Sequence, residues 1–410
     1  MKILFVTNEI PFPPDNGVRI VSYHAMRLMF EAGHDLALAV LTEETDDNEK
    51  RFSKVSAFCK DRMAWWMQLP RRSSFSILLN AMVLNKPFFI ERYRSPVFRR
   101  KLMQLIKEFE PDVIHYDLIT MTQYRDIAPA IVGTIASIND SFSLALENYL
   151  EAGNYKRVER FYRRLLYLQT RRYEAISYSR FDVTHVMART DETYLHTLNP
   201  KIVTTVISNG VDFSLFGIVN KTRGNTDLIF VGKLADDYLL YLKQFLNDGW
   251  PIIHREYPEV KLHVVGKLGP QAQHFRDQVK FVEGVEFKGY VERLTDVYCR
   301  CGISIVPINK NCGIINKAIE AMAAGLVVVG FKKAFTGITQ AKDGEHYLSA
   351  KDYTGLGKSI VDILRDEPHR RIIQENAHQM ALKYYSWPSR SRAYENMYHV
   401  SMETKKSRGA

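Results

Sequence analysis

The stretch from Gly302 to Gly330 limits the fold more than any other part of the chain, because its hydrophobic period changes twice. Ile303 to Val306 is a short β-branched run closed by Pro307, the pattern of a strand buried on both faces. A polar loop with Asn309, Lys310, Asn311 and Gly313 follows. From Ile314 the apolar residues Ile315, Ala318, Ile319 and Met322 fall at helical spacing, Gly325 stops the helix, and Val327 to Val329 open a second buried strand. Strand, loop, helix, strand is the unit of a doubly wound parallel sheet, which keeps its ligands at the carboxyl ends of the strands. A helix N-terminus after a glycine-bearing loop presents free N–H groups suited to phosphate. Asn316 and Glu320 share one helix face with Lys317 beside them. A carboxylate there can accept hydrogen bonds from ribose hydroxyls, although the same residues also fit a plain solvated face.

A chain of 410 residues exceeds what one core usually holds, so two domains of roughly 200 residues are expected. No apolar run approaches the roughly 18 residues of a membrane span. The N-terminal run Ile3 to Val6 is too short for a signal peptide and reads as a first strand. Cys59, Cys299, Cys301 and Cys312 form neither a C-x-x-C pair nor a zinc spacing, which fits a reducing cytoplasm. The net charge of +10 admits nucleic acid, an anionic membrane or phosphorylated ligands. No repeat and no nucleic-acid motif is present, and no nucleic-acid partner is expected.

Taken in order, Lys2 to Thr7 is a strand, a Pro-rich loop runs to Asn16 and Gly17, and a helix with Val21, Ala25, Leu28 and Met29 on its apolar face stops at Gly33. Asp35 to Thr42 is the second strand. Residues 61 to 103 mix aromatics with arginines, which suits helix packing under a charged exterior or a surface facing a membrane or acceptor. Asp112 to His115 is a strand with His115, Tyr116 and Asp117 at its carboxyl end, and Gly133 to Ile138 is another, followed by Asn139 and Asp140. Asp140 can serve substrate or cap the helix starting near Ser143. Residues 155 to 172 form a basic amphipathic helix with seven Lys or Arg against Glu159, either an exterior helix or one facing an anionic membrane. Phe181 to Met187, Ile202 to Ile207, Leu228 to Val231, Leu262 to Val265 and Val285 to Gly289 read as further strands.

Several of these segments together resemble the retaining GT-B glycosyltransferases of family 4. Asn316, Lys317, Glu320, Ala321, Met322, Ala323 and Gly325 match that family's donor-binding helix, and Asn209, Gly210, Val211 and Asp212 its N-G-V-D turn. The resemblance implies an α/β fold of two Rossmann-like, doubly wound domains facing each other across a cleft. Their limits are set at 1–213 for the acceptor side, with a terminal helix at 387–410 packing back onto it, and 224–386 for the donor side.

The implied activity is retaining, metal-independent transfer of a hexosyl group from a nucleoside-diphosphate sugar, UDP rather than GDP, to a glycan, lipid-linked or other hydroxyl acceptor. No cofactor is implied, and the setting is envelope or exopolysaccharide synthesis, in the cytoplasm or at the membrane's inner face through the 155–172 helix. By the same resemblance Asn16, Gly17 and Arg19 form a loop facing the donor diphosphate. Gly232 and Lys233 begin the donor domain, Tyr290 and Val291 lie at the nucleobase, and Cys312, Gly313 and Ile314 precede the donor helix.

Three departures bear on mechanism. Cys312 stands where many members carry a first glutamate, Asn139 where many carry a histidine beside the sugar, and no Lys-Gly pair follows Lys233. The second diphosphate cation is therefore assigned to Lys317, with Lys310 in reserve, and Asp140, Lys233 and Lys317 are the expected catalytic residues. His115, Asp117 and Asn139 are placed on the acceptor or sugar side. A catalytically degenerate subunit and a nucleotide-sugar isomerase of the same fold are the competing readings.

Overall fold

The computed structural model describes every residue except 44–46, 61–62, 153–154, 214–223, 233, 235, 268, 270–281, 310–313 and 410. The chain divides into two compact units, Met1–Ser208 with Arg390–Ala410, and Asn209–Ser389. The expected linker, 213–225, lies mostly outside the described residues.

The first unit is built on β1 (Lys2–Thr7), β2 (Asp35–Thr42), β3 (Ala64–Gln68), β4 (Val113–Asp117), β5 (Gly133–Asn139), β6 (Val183–Val186) and β7 (Thr204–Val206). They pair in the order β3-β2-β1-β4-β5-β6-β7, every pair parallel. The second unit repeats the pattern with β8 (Asp227–Val231), β9 (Leu262–Val265), β10 (Val285–Gly289), β11 (Cys301–Val306), β12 (Val327–Phe331) and β13 (Leu348–Ala350) in the order β10-β9-β8-β11-β12-β13, again all parallel. In each sheet the strand order reverses once, between β1 and β4 and between β8 and β11. Those switch points are where a doubly wound sheet opens a crevice for ligands. Both units are thus Rossmann-like.

Burial explains why these strands read as unbroken apolar runs. In the second sheet Leu228, Phe230, Ile303, Ile305, Val327 and Val329 pack into the core on one face. On the other face Ile229 and Val328 pack with Ala318, Ile319 and Met322. No polar alternation survives when both faces are covered.

Six helices matter below: α1 (Gly17–Glu31), α2 (Ser74–Val83), α3 (Phe142–Ala152), α4 (Arg157–Tyr178), α5 (Asn316–Ala323) and α6 (Trp387–Gly409). The Asn16 side chain caps α1 by accepting the Arg19 N–H at 2.9 Å, and Gly33 follows the helix with a left-handed φ of 80°. Part of the aromatic segment is a strand and not helix packing. In β3, Trp65 sits edge-on to the buried Phe98 at 5.2 Å between ring centroids, and the β-propensity of paired tryptophans favours the sheet edge. Among the described residues, no helix is long and apolar enough to cross a membrane.

Candidate functional site

At the switch point of the second sheet a cavity of about 250 Å³ lies against the ends of β8 and β11, lined by Val231, Gly232, Tyr238, Ser304, Pro307 and Lys317 among others. It is smaller than the roughly 300 to 1,000 Å³ that encloses a whole small ligand, and suits one part of an extended one. The strand ends approach closely here. A Cβ on Gly266, whose φ is 154°, would stand 1.7 Å from the Gly232 carbonyl oxygen, so only glycine fits.

Helix α5 reaches the cavity through Lys317. Lys317, in its first turn, donates to Glu320 Oε2 at 2.8 Å, and Glu320 is itself nearly buried. Asn316 accepts from the Asn209 side chain at 3.0 Å, which ties the N-G-V-D turn to the start of the helix. Sequence reading quoted both motifs without joining them. Tyr238 and Ser304 were also missed, since neither belongs to a motif. Ile314 is half-buried against the core, as is Val291, whereas Tyr290 is exposed with Lys267 Nζ 5.0 Å from its ring centroid. Lys233, Cys312, Gly313 and the reserve cation Lys310 lie outside the described residues.

The first unit gathers a different set. Asn16 and Gly17 are exposed, and a Cβ on Gly17 would meet nothing within 4 Å, so packing does not require a glycine there. The Arg19 guanidinium is held by Glu9 and Asp15, each at 2.9 Å. A diphosphate would have to compete with both carboxylates for it.

Two sequence assignments are corrected. His115 is fully buried between Phe5 and Tyr398, bonded to the Tyr398 hydroxyl at 2.9 Å, and burial lowers its pKa to about 3. It is a neutral packing residue, because alternation along β4 turns it to a covered sheet face. Asp117 points the same way and is equally buried, accepting from Ser22 Oγ at 2.5 Å. Burial pushes its carboxyl up to about 7, against the smaller lowering by the Ser22 hydroxyl.

Asn139 and Asp140 lie at the end of β5. Asn139 has a left-handed φ of 64°, and its amide nitrogen and oxygen are both buried without a partner among the described residues. A buried amide left unpaired costs about 1 to 3 kcal/mol, and a left-handed residue adds strain, a combination that collects at functional sites. Asn8 Oδ1, after β1, is likewise buried and unpaired. Asp140 is not the helix cap: the N–H of Ser141 goes to Asp191 at 2.8 Å, and those of Phe142 and Ser143 go to Glu174 of α4 at 2.9 and 3.3 Å. Glu174 also accepts from the hydroxyls of Ser141 and Ser143. With the cap supplied elsewhere, the Asp140 carboxyl reaches solvent beside a protein wall. Desolvation first and the Asp191 carboxylate second push it up to about 6.

The buried carboxyls give a test by pH. Burial raises Glu174 to about 7 as well. Both Asp117 and Glu174 hold a proton when folded that the unfolded chain releases near pH 4, so their contribution is fully present below about pH 4 and is lost as pH rises towards 7. Glu286, which Lys261 and Lys288 pull down to about 2, loses its contribution only below about pH 4.5, outside that window. The neutral buried imidazoles of His115 and His185, lowered to about 3 and 4, act with the opposite sign, since they charge on unfolding below about pH 6.5, so the thermal midpoint of the wild type should stay nearly level between about pH 4 and 6.5. Asp117→Asn, which keeps an acceptor for Ser22, removes one of the falling contributions, so its midpoint should climb with pH across that range where the wild type's does not. The same pH dependence in Asp117→Asn as in the wild type would mean that this carboxyl is ionised in the folded protein.

Comparison with known proteins identifies the chain. Residues 16–215 match the model of Glycosyltransferase Family 4, and residues 225–366 match that of Glycosyl transferases group 1. This chain is a family 4 glycosyltransferase. An uncharacterized 44.6 kDa protein in the cps region of Klebsiella pneumoniae is 21% identical to it over 394 residues, 94% of this chain and 96% of that one. Solved glycosyltransferases share the fold. Sucrose-phosphate synthase of Thermosynechococcus elongatus superposes with a TM-score of 0.68 at 16% identity, covering 97% of this chain and 98% of its own. Anabaena HepE in complex with UDP gives 0.66 at 14%, covering 97% and 100%. The pneumococcal O-GlcNAc transferase GtfA, in complex with UDP and GlcNAc, gives 0.64 at 12%, covering 98% and 99%. The two Rossmann-like units of this glycosyltransferase are accordingly those of a GT-B enzyme.

Proposed function

We propose that this enzyme is a retaining hexosyltransferase that takes its sugar from a UDP-sugar and delivers it to a hydroxyl of a glycan or lipid-linked acceptor in envelope polysaccharide synthesis. The observation that carries the donor half is Lys317 and Glu320 standing together beside the cavity at the switch point. A diphosphate entering beside Gly232 draws Lys317 away from Glu320, and the freed carboxylate accepts the ribose hydroxyls. The two roles are thus exchanged through one ion pair. Tyr290, with one face open, offers a surface for the base. Family membership supports retention, and the diphosphate charge is met by Lys317 and Lys233 in place of a metal. UDP in the HepE and GtfA complexes and the cps-region relative support the choice of nucleotide and pathway.

The acceptor half rests on Asn139 and Asp140, whose polar groups are unspent. Asp140 is the group that takes the acceptor proton, and the Asn139 amide pairs with a sugar hydroxyl. We further place the enzyme at an anionic membrane surface. The N-terminal half of α4 exposes Val158, Phe161, Tyr162 and Leu165 among its arginines.

Calorimetric titration with UDP in the presence of a chelator tests the donor site. Binding is expected without metal, and Glu320→Gln should weaken it roughly tenfold, the worth of about 1.4 kcal/mol in lost charge-assisted bonds. Unaltered affinity in Glu320→Gln would take the ribose away from α5. Binding that appears only with magnesium would overturn the metal-independent reading.

A further inference from the structure

Away from both switch points, the first unit contains a cavity of about 440 Å³. Its walls are the chain leaving α2 at Leu84 to Lys86, the turn from Thr122 to Asp126, and the C-terminal half of α4. Four cations face it: Lys86, Arg125, Arg172 and Arg180. The single carboxylate among its described lining residues, Asp126, is already gripped by Arg99 through hydrogen bonds of 2.8 and 2.9 Å. Arg125 lies 5.9 Å from the centroid of the Phe181 ring, and its Nε is buried without a partner among the described residues. The hydroxyls of Tyr173 and Ser177 stand 3.0 and 3.2 Å from Thr122 Oγ1. Forked guanidinium donors, an ammonium group and clustered hydroxyls suit tetrahedral oxyanions carrying more than one charge, which describes a phosphate ester.

The surroundings say what is attached to that phosphate. Along α2, Phe75, Leu78, Leu79, Met82 and Val83 are all exposed, spaced by three and four residues so that they form one stripe. Phe75 and Val83 are each 75% exposed. The stripe ends at the cavity, where exposed Leu84 and Ile176 form part of the wall. A helix that turns its apolar face outwards, with cations at its end, is built to lie in a lipid interface.

We propose that this cavity binds the phosphate headgroup of an anionic lipid while the α2 stripe enters the acyl region beside it. The proposal rests on the membrane placement given above and adds a specific site to it.

The test is flotation of the full chain with vesicles of phosphatidylcholine, with and without phosphatidylglycerol. Arg125→Gln with Arg180→Gln is compared against Arg100→Gln with Lys107→Gln, which removes equal charge from exposed positions of the first unit outside both the cavity and α4. Wild type should float only with phosphatidylglycerol, and the cavity pair should weaken binding at least tenfold while the control pair weakens it severalfold or less. Equal losses from the two pairs would overturn the headgroup site and leave membrane attraction by charge alone. No flotation of wild type would overturn both. Inorganic phosphate that raises the thermal midpoint of wild type but not of the cavity pair, without flotation, would show a soluble phosphate ligand and overturn the lipid assignment. A wild-type circular dichroism spectrum and cooperative melt in the cavity pair confirm that the first unit, where both substitutions lie, is folded.

Discussion

Replacing Lys317 with alanine should lower turnover about a hundredfold while leaving the protein folded. Departure of a nucleoside diphosphate places charge on the leaving oxygens, and a preorganised cation beside them typically supplies about 2.7 to 4 kcal/mol of the lost barrier. Lys317 lines the cavity at the strand ends, where that charge would form. Its side chain is 45% exposed and, among the described residues, it pairs with Glu320, three residues on, so its part in stability is small. Steady-state rates with saturating UDP-sugar, set beside a thermal melt, separate the two effects. A loss confined to kcat fits a cation acting on the leaving group, and a loss confined to KM fits one that only anchors the donor. Wild-type turnover would remove Lys317 from the diphosphate.

Much of the structure around this cavity was legible in the sequence because its parts are local. Ile303 to Val306, α5 and Val327 to Val329 declare themselves by period, and the glycines mark where a chain must stop or come close. The placement of Lys317 and Glu320 on α5 follows from three-residue spacing alone. Non-local partners are what the sequence withheld. Asn209 meets Asn316 across 107 positions, and Tyr238 and Ser304 reach the cavity from separate elements. Glu174 caps α3 from a different helix, which freed Asp140 from the capping role that its position suggested.

His115 and Asp117 show the opposite failure. Their location at the end of β4 was read correctly, but which sheet face they point to depends on α1 and α6, whose packing no strand pattern reveals. The exposed stripe of α2 was hidden for a related reason. Its spacing is that of a helix burying an apolar face, and only the structure shows that this face stays open.

Asp140→Asn is expected to reduce turnover by a hundredfold or more and to abolish the acidic limb of the pH profile. A carboxylate that takes the acceptor proton contributes about 10²- to 10⁴-fold when correctly placed, and it works only when ionised. With its pKa near 6, activity should fall about tenfold per pH unit below 6 and level off above it. The neighbouring Asp191 supplies an internal control. Its carboxylate is the second cause of the raised value, after desolvation, so Asp191→Asn, which can still accept the Ser141 N–H, should move the limb to lower pH without erasing it. A limb that moves with Asp191→Asn and vanishes with Asp140→Asn identifies the titrating group as Asp140. A limb that persists in Asp140→Asn belongs to another acid, and the acceptor proton then leaves through the donor phosphate, with Asn139 positioning the sugar alone.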